Sequence, residues 1–339
     1  MKDKKIIAII GGGGFIGHNL ALHLKEKYKC EVIIVDNFQV NNFLSILSNE
    51  DNVSNPELSK CILEERFKIL NDNKIPIKTV DAREYHLITN FFKEYKPNYI
   101  VHLAAVSHAN RSNKNPYNTF DHSFRTLENV LDAGRKTVEK LIYLSSSMVY
   151  GNFKENTVTE ESPCNPIGIY GALKLSGEYL VKAYNQVFDL PYVILRPSAL
   201  YGERCISRRV SQIFIENALS GNPISIEGDG DEKLDFTYIK DLIEGIGLCI
   251  FNEKSNNNTF NLTHGNARPI NLLVDILKKN FTDLKVISQK RDKLMPVRGT
   301  LSIDKARDIL GYVPRWPLEQ GYQEYINWYS NLYKKFNLK

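Results

Sequence analysis

Apolar positions along the chain fall into short unbroken runs that alternate with stretches of helical spacing. The runs Ile6–Ile10, Val32–Val35, Ile77–Val80, Asn98–Leu103, Leu141–Leu144 and Tyr192–Leu195 predict strands buried on both faces, as in a parallel sheet. Between them, apolar residues recur at helical spacing after Gly17 (Leu20, Leu22, Leu24) and across Tyr85–Tyr95, Thr119–Lys136 and Ile169–Asn185. Strand and helix in alternation predict an α/β fold: a doubly wound parallel sheet with helices on both faces.

Two regions depart from this rhythm. Phe38 to Pro76 is long for a connection, and Leu58, Ile62, Leu63, Phe67 and Leu70 predict a helix over Pro56–Leu70. A helical insertion of structural character is therefore expected at residues 38–76. From Arg196 onward, short strands (Ile224–Ile226, Asp235–Thr237, Thr259–Leu262) mix with helices (Arg209–Leu219, Ile239–Phe251, Ile270–Asn280, Asp304–Leu310, Leu318–Tyr333). This predicts a smaller α+β lobe over the sheet edge, with residues 1–195 forming a nucleotide-binding domain and 196–339 mainly a substrate-binding lobe.

The first strand runs straight into Gly11–Gly14, followed by Phe15, Ile16 and Gly17, a helix, a second strand and Asp36. Strand, glycine turn, helix, strand and acid make up the first unit of a dinucleotide-binding (Rossmann) fold. The glycines let backbone approach a pyrophosphate at the helix N-terminus. Asp36, about 20 residues beyond them, is placed to accept hydrogen bonds from the adenosine ribose. Its charge would repel a 2′-phosphate and no arginine follows it, which points to NAD over NADP. The other polar strand ends, Asp81, Ala104–His108 and Ser145–Ser147, leave on the same carboxyl edge of the sheet, where ligands of such sheets bind.

Tyr170 and Lys174 are four residues apart and share one helix face. A phenol is a weak base at neutral pH, but an ammonium beside it and an oxidised nicotinamide both favour the phenolate. The phenolate can then take a hydroxyl proton while hydride leaves the same carbon, with Ser146 holding the oxygen in line. His108 in the loop after Ala105 reads as a hydrogen-bonding residue near the sugar, and His102 within its strand as structural.

Composition narrows the class without choosing the reaction. The 339 residues are 42% hydrophobic and 24% charged, as in an ordinary globular protein. The net charge of +5 is scattered and not massed in one block, which disfavours a nucleic-acid footprint. The five cysteines lack paired spacing, so reduced thiols and a cytoplasmic setting are expected. The apolar run behind the basic first residues is too short for a signal peptide, no stretch approaches the ~20 apolar residues of a membrane span, and no metal-ligand spacing is present.

Together these motifs resemble an extended short-chain dehydrogenase/reductase of the NAD-dependent sugar-nucleotide epimerase/dehydratase family, in the manner of a UDP-glucose 4-epimerase. The matching stretches are Gly11–Gly17, Asp36-Asn37, Asp81-Ala82, His102–Ala105, Ser145–Gly151, Tyr170–Lys174, Arg196–Gly202, Gly228–Gly230, Asp235–Ile239 and Asp241. The resemblance implies that Gly11, Gly14 and Gly17, with Phe15 and Ile16, line the pyrophosphate, and that Asp36 with Asn37 holds the adenosine ribose. It implies Asp81 and Ala82 at the adenine, Leu103, Ala104 and Ala105 along the nucleotide, and Ser146, Tyr170 and Lys174 as the catalytic trio. Tyr170 and Lys174 would also contact the nicotinamide ribose, Ser107, His108 and Ser147 would meet the sugar, and the enzyme would be a homodimer built on the Thr119–Lys136 and Tyr170–Asn185 helices.

The departures bear on the reaction. Dehydratases of this family resemble Thr-Asp-Glu where this chain has Ser146-Ser147-Met148, and removing water needs an acid and a base there. Epimerisation at C4 of a nucleoside-diphosphate sugar through a transient 4-keto intermediate is the leading expectation. A 4-dehydrogenase, a 4,6-dehydratase and a non-catalytic NAD-binding sensor are the alternatives. Leu234 replaces an arginine that binds the sugar nucleotide's phosphates in relatives, Ala199 replaces a substrate-lobe asparagine, and His122–Thr126 replaces an expected Asn-Gly-Thr run. Arg204, Arg208, Arg209 and Arg298 are the candidates to restore the lost phosphate contact.

Overall fold

Strands with apolar residues at every position must be covered on both sides, and this one requirement builds the molecule. The computed structural model describes residues 4–47, 55–107, 109–292 and 294–338. In order it runs β1 (Ile6–Ile10), α1 (Phe15–Tyr28), β2 (Glu31–Asp36), α2 (Phe43–Leu47), α3 (Pro56–Asp72), β3 (Ile77–Thr79), α4 (Tyr85–Tyr95) and β4 (Tyr99–His102). Then follow α5 (Ala109–Lys114), α6 (Pro116–Phe120), a π-helical turn at Asp121–Arg125, α7 (Thr126–Gly134), β5 (Lys140–Leu144), a 3₁₀ turn at Ser147–Tyr150, β6 (Thr157–Val158), α8 (Gly168–Phe188) and β7 (Tyr192–Arg196). The remainder contributes β8 (Leu200–Tyr201), α9 (Val210–Leu219), β9 (Ile224–Glu227), β10 (Lys233–Leu234), β11 (Thr237–Tyr238), α10 (Ile239–Phe251), β12 (Asn258–Asn261), β13 (Arg268–Pro269), α11 (Asn271–Lys278), β14 (Val286–Gln289), β15 (Thr300–Leu301), α12 (Asp304–Leu310) and α13 (Leu318–Phe336).

Seven strands form one parallel sheet in the order β12-β7-β5-β4-β1-β2-β3. Successive residues face opposite sides, so the strands feed two separate cores. Ile7, Ile9, Val32, Ile34, Val101, Ile142, Val193 and Leu195 pack on one side with α1, α3, α10 and α13. Ala8, Ile10, Ile33, Val35, Ile100, Leu141, Tyr143 and Ile194 pack on the other with α4, α7 and α8. Successive strands are added outward in one direction from β1 (β2, β3) and in the other from β4 (β5, β7), so the switch point lies between β1 and β4, with a crevice at their carboxyl ends.

The structure adjusts three sequence expectations. The helix expected at Thr119–Lys136 begins at Pro116, ends at Gly134 and is widened by the π-helical turn in its middle. The strand expected at Thr259–Leu262 does not join a separate lobe sheet: β12 pairs with β7 and forms the edge of the main sheet. The expected Asp235–Thr237 strand is split, with Asp235 itself between β10 and β11. Its buried carboxylate accepts hydrogen bonds from Thr263 Oγ1 at 3.0 Å and from the Gly265 and Leu301 backbone N–H groups at 3.1 Å, clasping three segments together. The insertion is helical, as α2 and α3. Asn55 caps α3 by accepting from Leu58 N–H, and Leu58, Ile62, Leu63 and Leu70 are buried. Among the described residues no helix is long and apolar enough to cross a membrane.

Candidate active site

The glycine loop is shaped by backbone meeting backbone. Gly11 has φ +79°, and a Cβ on it would lie 2.7 Å from Ala104 N, so the exits of β1 and β4 are nearly in contact there. A Cβ on Gly17 would lie 2.4 Å from Gly12 Cα, so α1 sits directly on the turn that precedes it. Gly14 differs: its only close neighbour would be Gly11 O at 3.2 Å, and its φ of −75° suits any residue. No side chain caps α1, which leaves the first N–H groups of the helix as an anion site. Asp36, at the end of β2, accepts from Gly13 N–H at 2.9 Å and from Phe38 N–H at 2.7 Å. Burial pushes its carboxyl up from the ordinary value, and these donors and the charge of Arg66 oppose that push.

Around this loop lies a cavity of about 960 Å³ open to solvent. Gly11, Gly14, Phe15, Ile16, Gly17, Asp36, Asn37, Ala82, Leu103, Ala104, Ala105 and Ser107 all line it. A bare helix N-terminus, a wall without Cβ at Gly14 and a carboxylate at the end of β2 fit a dinucleotide. Asp81 is placed differently from the expectation, because its side chain is not on the wall. It receives Arg83 N–H at 2.9 Å and Arg83 Nη2 at 2.6 Å. Burial works against its ionisation, but the Arg83 and Asn37 hydrogen bonds outweigh it and hold the carboxyl below its ordinary value. Asn129 donates to the carbonyls of Ala82 and Arg83 and so braces the same turn. His122 and Thr126, from the widened helix, complete the wall; His122 Nε2 lies 2.8 Å from Gln39 Oε1.

A second cavity, of about 860 Å³, adjoins the first and shares Ile16, Leu103, Ala105, Ser107, Leu200 and Arg209 with it. Ser146, Ser147, Met148, Tyr170, Lys174 and Arg298 line it, so the trio picked from sequence stands together at one end of the nucleotide crevice. Ser146 sits at the carboxyl end of β5 in extended backbone, and its hydroxyl accepts from Met148 N–H at 3.2 Å, which starts the 3₁₀ turn. Lys174 is buried and donates to Leu144 O at 2.6 Å. Burial brings its ammonium down to about 8, with the charge of Glu178 opposing. Glu178, one turn further along α8, is itself buried in an ion pair with Arg196 at 2.6 Å.

The electrostatics of Tyr170 differ from the sequence expectation. Burial pushes its phenol above the ordinary value, and what opposes this is the charge of Arg209, then the Ser146 hydroxyl. The Lys174 ammonium is directed at a strand carbonyl, and the cation acting on Tyr170 in this structure is an arginine from the loop before α9.

The four candidate arginines separate cleanly. Arg204 lines neither cavity: it bonds His18 Nε2 at 3.0 Å and Asn19 Oδ1 at 3.1 Å, and pairs with Glu65 at 3.6 Å. These partners on α1 and α3 hold its side chain away from both cavities, unlike the position expected for a phosphate contact. Arg208 is paired with Glu216 at 2.8 Å. Arg209 lines both cavities and donates to Ser107 O at 2.9 Å. Arg298 lines the second, where its Nε lacks a partner, and burial, with Arg209 nearby, brings it down to about 10. His108 lies outside the described residues. Sequence reasoning missed Arg66, which enters the first cavity from α3. No motif marks it, because its only signal is an arginine on the apolar face of an amphipathic helix.

Comparison with known proteins agrees with this geometry. The family model described as "NAD dependent epimerase/dehydratase family" matches residues 7–263. A Bacillus subtilis protein described as "Uncharacterized UDP-glucose epimerase YtcB" is 30% identical over 333 residues, covering 97% of this chain and 99% of that one. A dTDP-glucose 4,6-dehydratase of Haemophilus influenzae is 27% identical over 350 residues, covering 95% and 97%. The crystal structure of UDP-glucuronic acid 4-epimerase from Bacillus cereus, in complex with UDP-glucuronic acid and NAD, superposes with a TM-score of 0.86 at 25% identity, covering 97% of this chain and all of that one. The chain is thus an NAD-dependent enzyme and belongs to the NAD-dependent epimerase/dehydratase family.

Proposed function

We propose that this enzyme inverts C4 of a nucleoside-diphosphate sugar, of which a UDP-hexose or UDP-uronate is the nearest chemical class. The observation that carries this reading is the wall of the second cavity, where, among the described residues, no carboxylate and no histidine stands. Loss of water from a keto sugar needs an acid for the departing hydroxyl and a base for the adjacent carbon. Ser147 and Met148 occupy those places and supply neither. Inversion at one carbon needs only a single group that takes and returns one hydroxyl proton.

The residues divide that work. Ser146 holds the sugar hydroxyl by hydrogen bond, and the Tyr170 oxygen removes its proton as the C4 carbonyl forms. Arg209 supplies positive charge that makes the phenolate accessible, while Lys174, held at the Leu144 carbonyl, is assigned to the nicotinamide ribose. NAD, when bound in the first cavity, accepts the C4 hydride and returns it. Because return of hydride to the same face would regenerate the substrate, the reading requires the keto sugar to turn and present its other face. Tyr170 then returns the proton to the new hydroxyl. Arg209 and Arg298, which form no ion pair among the described residues, are suited to the substrate's diphosphate. A sensor that only bound NAD would have no use for this trio. Exposed Tyr179, Val187 and Phe188 on α8 provide apolar surface for the homodimer we take to be the working form.

Incubating the purified enzyme with UDP-glucose, UDP-glucuronate, UDP-N-acetylglucosamine and dTDP-glucose, and following the products by proton NMR, tests the reading. A C4 epimer without net NADH is expected. A 6-deoxy-4-keto product, or stoichiometric release of NADH, would replace it with the dehydratase or the dehydrogenase.

A further inference from the structure

Arg66 is the largest fully buried polar side chain of the described residues, at 0% exposure, and it stands on the insertion helix α3. Its Nη1 donates to Gly13 O at 2.8 Å and its Nη2 to Arg204 O at 2.6 Å. Both partners are neutral carbonyls. Among the described residues no carboxylate lies within ion-pair distance, and Nε has no partner at all. The side chain nevertheless lines the first cavity, beside Asp36 and the glycine loop. A guanidinium has five N–H donors and a charge that cannot be shed near neutral pH, so burying it against two carbonyls leaves it under-compensated.

We propose that Arg66 is a ligand of the dinucleotide's phosphates, contributed to the nucleotide site by the insertion helix α3. Asp36 acts on the guanidinium only at a distance; the diphosphate would supply an anion in direct contact, and phosphate oxygens match the geometry of the guanidinium fork. The Gly13 contact holds the glycine loop in its binding shape, and the Arg204 contact ties the same side chain to the loop that leads to Arg209. Burial brings Arg66 down to about 10, with the charge of Asp36 among the opposing causes, which leaves it charged at neutral pH. This inference rests on the assignment of the first cavity to NAD.

The test is calorimetry on cofactor-stripped wild type, R66M and R66K with three ligands: NAD, ADP and adenosine, the last without phosphate. Thermal unfolding of each stripped protein runs beside it. R66M is expected to lose at least about tenfold in affinity for NAD and ADP, the scale of one charge-assisted hydrogen bond, while its adenosine affinity changes less than about twofold. R66K, which keeps the charge and loses the fork, should fall between. Equal loss for all three ligands, or no loss for any, would overturn the proposal, the former making Arg66 only a prop for the loop. If R66M does not fold, the ratio of NAD loss to adenosine loss in R66K decides in the same way. A wild-type protein that binds neither NAD nor ADP would overturn both the inference and the cofactor assignment, whereas a defect confined to the variants concerns Arg66 alone.

Discussion

Gly14→Ala and Gly17→Ala should fail in different ways, although both residues belong to one glycine motif. At Gly17 the added methyl would lie 2.4 Å from Gly12 Cα and 2.5 Å from Gly12 O, backbone atoms that cannot move without lifting α1 from β1. Overpacking of this kind costs about 1–3 kcal/mol when side chains can adjust, so about 3 kcal/mol or more is expected where only backbone can. In a chain of this size that lowers Tm by about 4 °C or more. At Gly14 the methyl meets one oxygen at 3.2 Å and otherwise points into the cavity. The weaker N-cap and the stiffer unfolded chain offset one another there to within about 1 kcal/mol. Stability should hardly change, while NAD affinity falls by at least about tenfold, because the methyl occupies the path of the diphosphate. Differential scanning calorimetry of the stripped proteins, with NAD titrations of each, separates the two. A Gly14→Ala enzyme with unaltered NAD affinity, or a Gly17→Ala enzyme as stable as wild type, would refute this division of roles.

Other outcomes follow from the catalytic cluster. Tyr170→Phe should bind NAD as wild type does and lose turnover by at least about a thousandfold, since the Tyr170 hydroxyl, beside Ser146, is the group assigned the hydroxyl proton; an active variant would remove Tyr170 as the base. Lys174 has a native value of about 8 against 10.5. The native state therefore binds fewer protons than the unfolded chain between these values, so its contribution to stability rises with pH through that window and is lost as pH falls to about 8. Urea unfolding should show wild type gaining about 2 kcal/mol over Lys174→Met between about pH 7.5 and about pH 10, and parallel pH curves would contradict the assignment. Glu178→Gln leaves Arg196 buried without its counter-charge and should cost about 3–5 kcal/mol, with Glu178→Gln/Arg196→Met recovering much of it; additive losses would show that the pair is not coupled.

Periodicity and local spacing by themselves determined the parallel sheet, the glycine turn before α1, Asp36 at the end of β2 and the shared face of Tyr170 and Lys174. Each of these is written within a few neighbouring residues, by an unbroken apolar run, a left-handed turn that only glycine enters easily, or one turn of helix. Charges that act across the chain had no such local signature. Four arginines were equivalent candidates in sequence, and only the folded chain sends Arg204 to His18 and Arg208 to Glu216 while leaving Arg209 and Arg298 at the catalytic cavity. The same holds for Tyr170, whose opposing cation comes from a loop beyond β7 and not from its neighbour on α8. It holds too for Asn258–Asn261, which returns to the main sheet, and for Arg66, carried to the glycine loop by a helix that read as decoration. Local sequence specifies which elements form, because backbone torsions and burial periodicity are local. Which charged side chain is left without a partner depends on every element packed around it, and that is settled only when the tertiary structure closes.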